Sequence, residues 1–174
     1  MKNTVHGVLD GVYLACIWVA GLSIVAMSII IPIGVFARYV LGFGAQWPEP
    51  IAILLMVIFT FVGAAAAYRA GAHIAVAMVT DRLPAPLQRL CAWAVHLLML
   101  LVSVFMLVYG SKLSVETMGQ TLAALPWLPI GLTYLPVPLG GLLTLAFVLE
   151  TLAFGPQHRR PVVTFDHQVE EAGA

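Results

Sequence analysis

The run PIAILLMVIFTFVGAAAAY, Pro50 to Tyr68, carries no Lys, Arg, Asp or Glu. It supplies the roughly 20 apolar residues that cross a hydrocarbon core of about 30 Å. Apolar and polar side chains do not alternate along it, so it does not read as a barrel strand. A helix, which satisfies its own backbone N–H and C=O groups, is the conformation that lipid permits. Three more runs without those four residue types follow the same logic: Gly11 to Ala37, Leu90 to Ser111 and Thr117 to Leu149. The charged residues gather between them, at Lys2 to Asp10, Arg38 to Glu49, Arg69 to Arg89, Lys112 to Glu116, and from Glu150 onward.

The chain therefore reads as an all-α integral membrane protein with four transmembrane helices, near 12–37, 50–68, 90–111 and 132–153. A short interfacial helix is expected over 70–83, between spans two and three. Together these make one membrane domain, 1–155, followed by a flexible cytoplasmic tail, 156–174. Composition agrees: 61% of residues are hydrophobic and 9% charged, against roughly 45–50% and 25% in soluble domains. The first apolar run is longer than the 7–15 residues of a signal-peptide core and has no clear cleavage site after it, so it is expected to remain as a helix.

Basic residues set the orientation. Lys2, Arg69, Arg82, Arg89, Arg159 and Arg160 fall on one side of the four spans, and Arg38 and Lys112 on the other. The excess places both termini in the cytoplasm. Trp47, Trp127, Tyr134, Tyr39 and Trp93 fall near span ends and read as interfacial anchors.

After span two, Arg69, His73 and Asp81 recur at multiples of four and would share one helical face, which suggests a helix lying in the inner interface. Before span four, Pro126, Pro129, Pro136 and Pro138 interrupt the chain. Span three is expected to run as far as Met118, and span four to break or kink near Pro136.

Ionisable groups inside a membrane are costly and usually functional. The one expected well inside a span, Cys and Tyr aside, is His96, about 10 Å along the axis from Arg89. It is read as a helix-contact residue. Cys16 and Cys91 read as small core residues, not as a disulfide. No histidine pair stands ready for haem, spans one to three hold no carboxylate for proton-coupled export, and no nucleophile, phosphate-loop or metal-ligand motif occurs. The expectation is a non-enzyme with no cofactor and no metal, and a net charge of zero gives no reason for a nucleic-acid partner. Gly34, Gly63 and Ala64 to Ala67 offer small-residue surfaces on which helices can meet.

Several pieces in order carry a family resemblance. Arg38 and Tyr39 follow span one, and WPEP occupies Trp47 to Pro50. FVGAAAAYRAGAHIAV runs from Phe61 to Val76, DRLP from Asp81 to Pro84, and LPWLPIGLTYLPVPLG leads into span four. From about residue 10 to 155 the chain resembles the small membrane subunit of tripartite ATP-independent periplasmic (TRAP) transporters. It departs from that family at Glu49, which Pro50 follows where a second acid is common.

The resemblance implies a bacterial inner-membrane scaffold that pairs with a large multi-span subunit holding the substrate and sodium sites. A periplasmic substrate-binding protein would deliver an organic acid to that pair. Arg38, Trp47 and Glu49 become candidates for partner docking, the alternative for the two charges being solvated flanking residues. Arg69, His73 and Asp81 become candidates for bracing the inner interface, by contact with a partner or with membrane lipids. The rival expectation is a self-contained four-span transporter or channel acting as a homo-oligomer.

Overall fold

The computed structural model describes residues 2–42, 44, 46–71 and 84–155. Helix α1 (Lys2–Tyr39) leads to α2 (Pro48–Arg69) and α3 (Ala85–Glu116). A small antiparallel hairpin follows, β1 (Thr121–Leu122) and β2 (Leu125–Pro129), then α4 (Ile130–Tyr134) and α5 (Pro136–Phe154). Among the described residues four stretches are long and apolar enough to cross a membrane: His6–Tyr39, Pro48–Arg69, Pro86–Glu116 and Ile130–Phe154. The all-α, four-span architecture is thus present. The interfacial helix expected over 70–83 lies, from residue 72 onward, outside the described residues.

Prolines and glycines set the ends of the elements. Pro48 and Pro50 stand in the first turn of α2, where a missing N–H removes no helical bond. Gly71 at φ +68° and Gly155 at φ +86° follow α2 and α5, in a backbone region that L side chains rarely adopt. Span three stops at Glu116, before the expected Met118, and a turn takes over with Met118 N–H bonded to Val115 O at 3.2 Å. Span four breaks at Leu135. Pro136 has no N–H to continue the ladder, and Leu135 N–H instead reaches Leu132 O at 3.3 Å.

In the bundle α1 packs on α2, α2 on α5, and α5 on α3, so α2 and α5 are central and α1 and α3 flank them. Small residues make the central contacts possible. Ala65 and Ala66 are buried. On α5 the successive glycines Gly140 and Gly141 face different neighbours, as the 100° step of a helix requires. A Cβ on Gly140 would fall 2.7 Å from Phe61 Cβ of α2, and one on Gly141 would fall 2.9 Å from Leu107 N of α3. Gly34 meets Pro48 in the same way, with a Cβ there 2.7 Å from that of the proline, whereas Gly63 meets Ala20 at an ordinary 3.7 Å. The core formed by this approach comprises Cys16, Val62, Ala65, Ala66, Tyr68, Phe147 and Val148.

The hairpin and α4 cap the end of the bundle opposite the described start of α1 and the end of α5. Ser114 Oγ donates to Gly131 O at 2.6 Å, and Gly131 N–H to Thr117 O at 3.2 Å. Leu125 and Leu128 turn inward while Trp127 is 70% exposed.

Candidate functional site

The last two residues of α2 gather polar groups from all three other long helices. Arg69 Nε and Nη2 donate to Glu150 Oε2 and Oε1 at 2.7 and 2.8 Å, a two-pronged bond to α5. The same Nη2 donates to Asp10 Oδ1 of α1 at 2.5 Å. The guanidinium also lies 5.1 Å from the centre of the Tyr13 ring and 5.4 Å from that of Phe147, within reach of a cation–π attraction. Tyr68, one position earlier and so turned by about 100°, places its hydroxyl 3.0 Å from His96 Nδ1 of α3.

Burial makes this cluster consequential. The Glu150 side chain is 0% exposed and that of Arg69 4%, whereas Asp10 is 41% exposed. One cation thus faces two carboxylates, one of them sealed and the other reaching water. The sealed carboxylate avoids a large desolvation cost because both of its oxygens accept charge-assisted bonds. His6 Nδ1 stands 3.5 Å from Glu150 Oε1, buried and without a hydrogen-bond partner among the described residues, while its ring packs edge-on against Phe154. Glu150 is shut from solvent and both its oxygens already accept from Arg69, so it presents no open ligand to a passing ion. The cluster ties helices together.

One expectation is corrected here. His96 is not the sole ionisable group held within the spans, because Glu150 is fully buried inside α5. Arg69, expected to begin the inner segment, closes α2 and turns into the bundle. The signal for Glu150 was present in LLTLAFVLETLAF, Leu142 to Phe154, where an acid with apolar neighbours on both sides is costly unless paired. Its partner was not visible, since Arg69 stands 81 positions away in the chain. His73 and Asp81 lie outside the described residues. His96 does make a helix contact, with Tyr68.

At the opposite end, Arg38 closes α1 and Glu49 opens α2. Their Nη2 and Oε2 atoms lie 3.8 Å apart, with side chains 50% and 73% exposed. Trp47, next to the first turn of α2, is also exposed. The three docking candidates are therefore brought together at one rim. Among the described residues no group of His, Cys, Asp or Glu side chains converges into a metal-ligand set.

Fold and site define a four-span helical membrane protein whose buried charges are engaged with one another. The model of the DctQ component of tripartite ATP-independent periplasmic transporters matches residues 27–154, and the chain belongs to that family. A Haemophilus influenzae protein described as a TRAP transporter small permease protein is 26% identical over 152 residues, which cover 87% of this chain and 91% of that protein. The ectoine TRAP transporter small permease protein TeaB of Halomonas elongata is 30% identical over 128 residues, 72% of this chain and 66% of its own.

Proposed function

We propose that this small permease subunit acts as a scaffold with no transport path of its own and no catalytic activity. It supports a large membrane subunit and helps a periplasmic substrate-binding protein to dock, in a sodium-driven importer of an organic acid. The carrying observation is the Arg69 cluster, in which the fully buried acid gives both oxygens to a fully buried base. A transport path needs polar groups left open along it.

The faces turned away from the bundle fit this role. On α3 the residues Leu90, Trp93, Leu97, Leu101 and Val108 form an exposed stripe at helical spacing, suited to lying beside another membrane helix or lipid. We place both termini in the cytoplasm of a bacterial inner membrane, which puts Arg38, Trp47 and Glu49 on the periplasmic rim where the binding protein arrives. An exposed pair by itself stabilises the fold by only about 0–1 kcal/mol, so its use lies in contacts beyond the chain.

The test is reconstitution in liposomes. The purified chain alone is expected to give no sodium-driven uptake of an organic acid, and with the large subunit it is expected to co-purify one to one. Arg38→Glu or Glu49→Lys should weaken uptake by the complete transporter at normal expression. Uptake by the lone chain overturns the scaffold role, and unimpaired uptake by both reversed variants removes the rim from docking.

A further inference from the structure

The Arg38–Glu49 pair stands at the shared mouth of two grooves. One, of ≈ 400 Å³, runs between α1 and α2, with Met27, Ile31, Val35 and Met56 in its walls. The other, of ≈ 640 Å³, runs between α2 and the hairpin and α5, with Leu54, Val57, Phe61, Leu122 and Val137 in its walls. Ile53 belongs to both and forms the ridge between them.

Their depth matches one leaflet. From Arg38 back to Met27 along α1 is about 16 Å, and from Glu49 down to Phe61 along α2 is about 18 Å. Half of the hydrocarbon core is about 15 Å. Two apolar channels thus descend from one polar mouth to the middle of the bilayer, the shape of a two-chain lipid.

The mouth also has the charge of one headgroup in complement. The 3.8 Å between Arg38 Nη2 and Glu49 Oε2 is too long for a hydrogen bond. The guanidinium keeps N–H donors for a phosphate, and the carboxylate keeps acceptor sites for a cationic N–H donor. A headgroup of adjacent phosphate and primary ammonium satisfies both. A choline headgroup has no N–H to offer Glu49, and a glycerol headgroup has no cation.

We propose that these two grooves and their charged mouth form a binding site for one ethanolamine phospholipid, its phosphate on Arg38, its ammonium on Glu49 and one acyl chain on each side of Ile53. The site goes beyond the scaffold role and does not depend on it. Lipid retention is read on the chain alone, whereas the scaffold role is read on uptake by the complete transporter.

The experiment is native mass spectrometry of the full chain offered equal amounts of dioleoyl phosphatidylethanolamine, phosphatidylcholine and phosphatidylglycerol. One ethanolamine lipid should be retained per chain, with about tenfold preference over the glycerol lipid, which corresponds to about 1.4 kcal/mol. Arg38→Gln should lower retention about tenfold, the loss of one charge-assisted bond. Glu49→Leu, which leaves no acceptor at that position, should erase the preference for ethanolamine over choline, and Ile53→Trp should expel the lipid with no change of charge. Lys112→Gln, in an exposed pair elsewhere at the same end of the bundle, should change nothing. Should Arg38→Gln fail to fold, the selectivity of Glu49→Leu and the effect of Ile53→Trp still decide. Equal retention of the three lipids overturns the site, as does undiminished retention in Ile53→Trp. Displacement by soluble glycerophosphoethanolamine would mean that the mouth alone binds and the grooves do not. Loss of the lipid when the large subunit is added would make the grooves a protein-docking surface instead.

Discussion

Arg69 shows how much a single side chain can decide when its surroundings are dry. Its partner Glu150 has a side chain with no solvent exposure, so removing the arginine leaves a carboxylate with no water to replace the lost bonds. Arg69→Met is expected to destabilise the chain by about 3–5 kcal/mol, the range for breaking a buried pair from one side. Arg69→Met combined with Glu150→Leu should recover most of that loss, because Asp10 can be hydrated once freed. Reversible unfolding in mixed micelles, followed by circular dichroism, measures both. A double variant as unstable as the single one would show that the pair is not what the bundle loses. Tyr68→Phe removes a bond to His96 that is less isolated from water, and should cost about 0.5–1.5 kcal/mol.

Among the elements, α5 depends most on what its residues lack. Gly140 and Gly141 let it lie close to α2 on one side and α3 on the other, with no room for a Cβ at either place. Gly140→Ala and Gly141→Ala should each cost about 1–3 kcal/mol by overpacking. Gly119→Ala, where nothing lies within 4 Å, should be close to neutral in the same unfolding assay. The break before α5 was legible because proline removes a specific donor. The hairpin ahead of it was not, since strands this short, with Pro126 and Pro129 in one of them, have no alternation to read. It forms because Leu125 and Leu128 have a place to be buried and Ser114 and Thr117 of the α3 end bond to Gly131.

For the whole molecule, orientation is the property with the widest consequence, because it decides which end would face the binding protein proposed as its partner. The uneven distribution of Lys and Arg on the two sides of the spans predicts that reporter fusions at Gly44 and Gly119 read as periplasmic and those at Pro84 and Gly173 as cytoplasmic. The inverse pattern would move Arg38, Trp47 and Glu49 to the cytoplasmic rim and overturn the docking proposed for them. The order of residues by itself determined that there are four spans, roughly where each lies, and that Arg38 and Glu49 flank one short connection. Transfer of an apolar run into hydrocarbon is a sum over neighbouring residues and needs no knowledge of the rest of the chain. Which buried charges meet was decided only by the tertiary structure. Arg69 is 59 positions from Asp10 and 81 from Glu150, and they converge because α2 lies against both α1 and α5 at rotations set by small residues in their contacts, a geometry that no sum along the chain contains.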